Sequence, residues 1–389
     1  MTPKQQERVD LFKEAVRQNA VPSRILNLSA TYAWKYLDAG FSLDTALLDY
    51  EKLYEGNMRF ARLYPHDVHV ELGSRFPLTV TGPLGNDTWV VTPEAVSIHD
   101  NCFMLDNEYD QLIADPKKYL WEVYMPRKNK FLRQENAQEV FRQGMDAYLQ
   151  WASAMKRISS DVRRTYEVPP FLSSQALLQV YDQGHEFLFS VLRGIRKLAI
   201  DGRRQPQKVK EAIESIEHYT LDANFEKLYA MESGSDPGAQ CDQMLSIMSH
   251  SILTVRQFEE YYWPFLKKLG DYAQAKDKIF YMFLESDSER FWDFFRELPK
   301  GHFLFHIEMD DIYKMKKACP NLAFAGGMPL ELLGHGTRGE CVEKAKELCR
   351  TVGADGGYVF SENKCISHRH DALAENLRAV CEFFNPPEA

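Results

Sequence analysis

Three side chains at the ends of short apolar runs are of the types that hold a metal ion or move a proton. Glu285 closes the run Tyr281-Met-Phe-Leu, His306 lies within Phe303-Leu-Phe-His-Ile, and Cys365 follows Tyr358-Val-Phe-Ser-Glu-Asn-Lys. A carboxylate, an imidazole and a thiolate from three strand ends, with a fourth position open, make the ligand pattern of a catalytic zinc ion. Side chains alternate between the two faces of a strand, so His306 and Glu308 share one face while Phe303, Phe305 and Ile307 share the other. The bulky apolar face should pack on outer helices, which turns His306 and Glu308 inward. Glu308 and Asp310 at that strand end are candidate proton carriers, and Tyr281, Phe283 and Ser361 are candidates to line a substrate pocket. Each metal candidate also has a plainer reading. A single histidine in an apolar strand can be a hydrogen-bonded core residue, a single cysteine can be inert, and Glu285 can pair with Arg290 or cap the next helix.

The elements that must position these residues are legible in the second half of the chain. Apolar runs at 278–284, 303–307, 322–325 and 358–360 alternate with stretches of helical periodicity at 290–298, 312–318 and 341–352. Strand and helix in alternation at this spacing predict a parallel sheet. Each run ends in polar or small residues, and in a (β/α)8 barrel chemistry sits at the C-terminal strand ends. The first 60 residues read as helices, with periodic apolar positions over 5–18 and 44–64. Short strands are expected at 68–72 and 89–91, and 108–160 reads as helical. The expectation is an α/β protein, a (β/α)8 TIM barrel, with residues 1–65 as an N-terminal helical extension and 66–389 as a single barrel domain.

Bulk composition narrows the partners. The chain has 389 residues, 44% hydrophobic and 26% charged, with a net charge of -9. No block of basic residues interleaves with aromatics, so nucleic acid is a poor partner. The pairs Arg163-Arg164 and Arg203-Arg204 read as solvated surface. The N-terminus has no apolar signal core and no window approaches 18 apolar residues, so neither export nor a membrane span is expected. Seven scattered cysteines without a CxxC pair argue against a disulfide framework and suit a reducing, cytoplasmic setting.

Further motifs carry a family resemblance over about residues 90–385. Ala325-Gly-Gly-Met-Pro-Leu-Glu-Leu-Leu-Gly-His-Gly-Thr337, Val352-Gly-Ala-Asp-Gly-Gly-Tyr358 and Ala374-Glu-Asn376-Leu follow one another in the order seen in the uroporphyrinogen decarboxylase superfamily. Upstream, Glu108-Tyr-Asp-Gln-Leu-Ile-Ala-Asp-Pro116, Leu192-Arg-Gly-Ile-Arg and Asp201-Gly-Arg-Arg-Gln-Pro206 resemble segments of bacterial members. The resemblance implies the barrel. The Arg-rich N-terminal motif of the true decarboxylases is missing. Phe283 and Glu285 stand where thiol-alkylating zinc methyltransferases carry a His-x-Cys pair, and Cys365 falls at their last-loop cysteine. Methyl-ether demethylases of the superfamily are more similar, with a Glu followed 21 positions later by a His, as Glu285 and His306 are. Their upstream Glu is replaced by Gly270, with Asp271 beside it. The implied function is a zinc-dependent methyltransferase. It would move a methyl group from a small methylated substrate, such as a methyl ether, to a corrinoid (cobalamin) on a partner protein. Zinc would sit at Glu285, His306 and Cys365. Two alternatives stand: a metal-free decarboxylase or lyase holding a polycarboxylate through Arg75, Arg127, Arg163 or Arg203, and a non-catalytic barrel that only binds.

Overall fold

The computed structural model describes residues 1–99 and 103–386. Strands β1 (Leu28–Ser29) and β2 (Val68–His69) pair in parallel, and β3 (Trp89–Val91) and β4 (Val96–Ile98) form an antiparallel hairpin. Strands β5 (Gln243–Ile247), β6 (Phe280–Leu284), β7 (Phe303–Ile307), β8 (Ala323–Met328) and β9 (Tyr358–Glu362) form a parallel sheet in chain order. Parallel bridges at Asn27–Phe360 and Thr31–Ile366 join β1 to the β9 edge, and a bridge at Leu172–Cys241 adds a segment beside β5. The ribbon thus runs from β2 through β1, β9, β8, β7, β6 and β5 to the segment at Leu172. Among the described residues no backbone ladder joins β2 to that segment, so hydrogen bonds do not close the ribbon.

Alternation within these strands sorts side chains into two cores. Tyr281, Phe283, Leu304, Ala323, Ala325 and Val359 form an inner cluster with Leu28, Val68 and Phe171. Phe280, Met282, Phe303, Phe305, Ile307, Phe324 and Phe360 belong to an outer cluster, packed with helix residues such as Leu266, Met315, Leu348 and Leu377. The inward and outward faces of β7 are as its alternation predicts. Helices 263–276, 312–318 and 338–351 connect β5 to β6, β7 to β8 and β8 to β9. The last opens with a capping box in which Thr337 and Glu340 satisfy each other's backbone amides.

The N-terminal region departs from its expected form. Leu28–Ser29 is a strand inside the stretch expected to be all helix, and it is paired to both β2 and β9. Two residues are too few to show a period of two, so the strand is visible only in its partners. The helix Pro3–Arg17 packs directly on the interior. Its Leu11, Phe12, Ala15 and Val16 belong to the inner cluster, where Phe12 meets Phe171 edge-on at 6.2 Å. That helix plugs one end of the interior. β5 was not anticipated, because Gln243-Met-Leu-Ser-Ile mixes polar and apolar residues. The six described cysteines are free; Cys102 lies outside the described residues. No helix among the described residues is long and apolar enough to cross a membrane.

One glycine in β8 allows the sheet its close approach beside β7. Gly326 has φ +110, and a Cβ there would stand 2.8 Å from the Ile307 carbonyl oxygen. Gly326→Ala should therefore combine left-handed strain with a backbone clash and cost about 3 kcal/mol. Urea unfolding should show a lower midpoint with an unchanged slope.

Candidate active site at the strand ends

A cavity of about 1040 Å³ opens at the C-terminal ends of the strands. The ladder hydrogen bonds continue one residue past β6 and β7 and fix two carboxylates at its wall. The Glu285 amide donates to the Ile247 carbonyl at 3.0 Å, and the Glu308 amide to the Leu284 carbonyl at 3.1 Å. Ser286 then takes a left-handed conformation, φ 60, unusual for a residue with a side chain. This turns its amide onto the Glu308 carboxylate at 2.7 Å, and Lys364 approaches the same carboxylate at 3.6 Å.

Glu285, Glu308, Cys365 and Phe283 all line this cavity, with Tyr32, Glu71, Arg75 and Tyr181. Burial pushes the Glu285 carboxyl up to about 7, helped by the charges of Glu308 and Glu186 and opposed by Arg75. Burial likewise pushes the Cys365 thiol up to about 12, against the pull of Tyr32 and Arg75. At neutral pH Cys365 is a thiol, and Glu285 is divided between acid and carboxylate. The Arg75 guanidinium lies 4.3 Å over the Tyr32 ring, and its charge is felt by Tyr32, Glu71, Cys365 and Glu285. Its side chain has no hydrogen-bonded acceptor among the described residues. The site therefore holds a proton donor, a thiol and a cation with unused donors.

Four residues expected at the site do not reach this cavity. His306 is fully buried beneath it, with Nδ1 2.6 Å from the Tyr281 hydroxyl and Nε2 2.6 Å from the Glu362 carbonyl oxygen. A carbonyl can only accept, so Nε2 carries the proton. Burial lowers the ring's pKa to about 4, so it is neutral and Nδ1 accepts from Tyr281. Tyr281 is consumed by the same bond and packs in the inner core. Ser361 is fully buried and donates to the Leu28 carbonyl at 3.1 Å, stitching β9 to β1. Asp310 accepts from the Ser288 amide and hydroxyl at 3.0 and 2.7 Å, which ties down the loop after β6.

These bonds decide how the donors suit zinc. An imidazole ligand needs a free ring lone pair, and both nitrogens of His306 are engaged inside the protein. Among the described residues no three His, Cys, Asp or Glu side chains group closely enough to hold a metal ion. The set Glu285, His306 and Cys365 does not fit the ion in this geometry. Glu285 and Cys365 share the cavity; His306 forms its floor. Sequence reasoning missed Tyr32 because it follows β1, which was not recognised as a strand; Glu71 falls inside the strand expected at 68–72, where nothing in the sequence marked it as facing the mouth.

The clamp on His306 is open to measurement. His306→Ala strands a buried hydroxyl and a buried carbonyl and leaves a cavity, so it should lower unfolding stability by about 3–5 kcal/mol. Glu285→Gln should change it by less than about 1 kcal/mol near pH 4.5 and should raise it at neutral pH, where the ionised form of this raised carboxyl weakens the native state. A His306 whose loss left stability intact would not be the floor described. The pH dependence of stability has a second source in Glu362, which is fully buried and whose carboxyl is pushed up to about 7 by burial. Unfolded, it titrates near its ordinary value of 4.5, so the native state binds the extra proton between these limits. Stability should fall by as much as about 3 kcal/mol as pH rises from about 4.5 to 7. Glu362→Gln should flatten that part of a melting-temperature profile.

Comparison with known proteins places this geometry. A search of curated proteins gives no match. Among solved structures, a "methyltransferase from Methanosarcina mazei" superposes with a TM-score of 0.58, covering 98% of each chain at 13% identity. At that identity the likeness is one of fold. The family model for uroporphyrinogen decarboxylase (URO-D) matches residues 188–385, the stretch that runs from the helical region before β5 through β9 and the final helix. Spanning just over half of the chain and all five strands of the main sheet, that match means the chain belongs to the uroporphyrinogen decarboxylase family.

Proposed function

We propose that this chain is a (β/α)8-barrel enzyme that transfers a methyl group from a small methylated substrate, a methyl ether, bound in the mouth at the strand ends. The ribbon of β2, β1, β9, β8, β7, β6, β5 and the segment at Leu172 supplies eight parallel segments, the number such a barrel needs. Family membership and the fold likeness to a methyltransferase support the class. One observation carries the chemistry: Glu285, half-buried in the mouth, holds its proton up to about 7. Breaking a methyl ether leaves an alkoxide, and an acid with a pKa near the working pH is the group that quenches it.

The steps of the chain's own residues follow from their placement. Phe283 and Tyr181 offer apolar wall to the body of the substrate. Glu308, held by the Ser286 amide and Lys364, stays close enough to Glu285 to keep its carboxyl protonated. Glu285 gives that proton to the departing oxygen. His306, with both ring nitrogens bonded inside the protein, offers no nitrogen to a zinc ion. The methyl acceptor is a corrinoid on a separate protein, which supplies a strongly nucleophilic cobalt when it docks. A mouth of about 1040 Å³ is larger than a small substrate fills, which leaves room for an acceptor presented from outside.

A second reading, a metal-free decarboxylase acting on a polycarboxylate, is favoured by Arg75, whose guanidinium faces the mouth without an acceptor. The readings separate in one assay. Purified protein incubated with methoxylated aromatic substrates and reduced cobalamin should form methylcobalamin, followed by its absorbance. The rate should fall above pH about 7 as Glu285 loses its proton, and Glu285→Gln should lose about 10²–10⁴-fold and the pH limb with it. Carbon dioxide release from a polycarboxylate with no methylcobalamin formed would replace the methyl-transfer reading with the second.

A further inference from the structure

A second cavity, of about 510 Å³, lies among the helices Ile195–Arg204, Pro206–Glu217 and Val255–Tyr261, away from the mouth residues. Its charged lining is Arg203, Arg256 and Glu260, and Glu260 is paired with Lys210 at 3.3 Å. Both arginines are exposed, and neither has an acidic partner or a hydrogen-bonded acceptor among the described residues. Two guanidiniums with their donors free thus face one cavity, the arrangement that planar recognition of an oxyanion uses.

Two further features aim at the same space. The 12-residue helix Pro206–Glu217 begins on it, through Pro206 and Gln207, and its N-cap Gln205 gives the first-turn amides no side-chain acceptor. Gln205 instead donates to Asp201 at 3.3 Å. The positive end of a helix dipole is thus uncapped beside two cations. The buried wall is His185, 2% exposed, with Nδ1 bonded to Ser249 Oγ at 2.7 Å and the ring stacked on Tyr261. Its Nε2 has no partner among the described residues, and burial keeps the ring neutral, with a pKa of about 3.

We infer that this cavity binds a phosphoryl group, held by Arg203, Arg256, the first-turn amides of helix 206–217 and His185 Nε2. A tetrahedral oxyanion presents several oxygens at once, which suits two planar forks and a helix N-terminus converging from different elements. A phosphate oxygen can accept from a ring N–H or, when protonated, donate to a ring nitrogen, so either tautomer of His185 serves. The inference is independent of the reaction at the mouth.

Calorimetric titration of the full-length protein at fixed ionic strength tests it, with inorganic phosphate in one arm and glycerol phosphate in the other. The expected result is saturable binding of one ion per chain. It should weaken about tenfold or more in the Arg203→Gln, Arg256→Gln double variant and stay unchanged in Arg164→Gln, an exposed arginine elsewhere. Tighter binding of the ester points to a phosphorylated metabolite as the occupant, and tighter binding of the inorganic ion to free phosphate; both keep the site. His185→Asn should weaken binding while the folded circular dichroism spectrum is retained. No saturable binding of either probe, or equal binding by the double variant, overturns the assignment.

Discussion

The two hydrogen bonds of His306 are the constraint on which the site depends. Tyr281 on β6, His306 on β7 and the Glu362 carbonyl on β9 are joined across the interior, past β8, by bonds of 2.6 Å each. The small residues Ala325 and Gly326 of β8 leave the space that this crossing needs. Because both ring nitrogens are satisfied and the ring is neutral, the imidazole can be buried at little cost. It then gives Phe283 an edge-on surface at 4.8 Å and closes the bottom of the mouth.

Everything electrostatic above that floor follows from carboxylates gathered around poorly hydrated space. Glu285 and Glu308 emerge from adjacent strands, and Glu186 acts on Glu285 from beside the end of β5. Burial first, and then the charges of these neighbours, push the Glu285 carboxyl up to about 7. Ser286 bears a left-handed backbone just after Glu285 and donates its amide to the Glu308 carboxylate at 2.7 Å. Strain at one residue thus gives one of two neighbouring carboxyl groups a backbone donor and leaves the other facing the mouth.

How much of this was legible depended on which physical signal each residue left. Strands β6 to β9 announced themselves through continuous aromatic and aliphatic runs, and the inward face of β7 followed from alternation alone. Glu285, Glu308 and Cys365 were found because a residue just past a strand end must face the mouth. β1 and β5 left no such signal. One is two residues long, and the other carries Gln243 and Ser246 in place of an apolar run. Tyr32 was lost with β1. His306 was read correctly as inward-facing and then given a free nitrogen it does not have. Alternation fixes the direction of a side chain but not its partners. The Glu362 carbonyl lies 56 residues away in sequence and belongs to the backbone, which carries no residue-specific mark.

The same limit explains why the second cavity was invisible as more than surface. Arg203 looked like half of an ordinary Arg-Arg pair, and its meaning comes only from Arg256 and His185, which the fold brings to one cavity. Those residues are not remote from the mouth in bonding terms. His185 meets Ser249 Oγ; the Ser249 amide, the Met248 amide and the Tyr262 hydroxyl all donate to one oxygen of Glu186, at 2.9, 2.8 and 2.7 Å. The other oxygen of that carboxyl is buried with no partner, while its charge presses on Glu285 and Met248 lines the mouth. A single buried carboxyl at the end of β5 therefore stands between the two cavities. Its orientation is set by the amides of Met248 and Ser249 and by the Tyr262 hydroxyl, and the Ser249 side chain carries the chain of bonds on to His185.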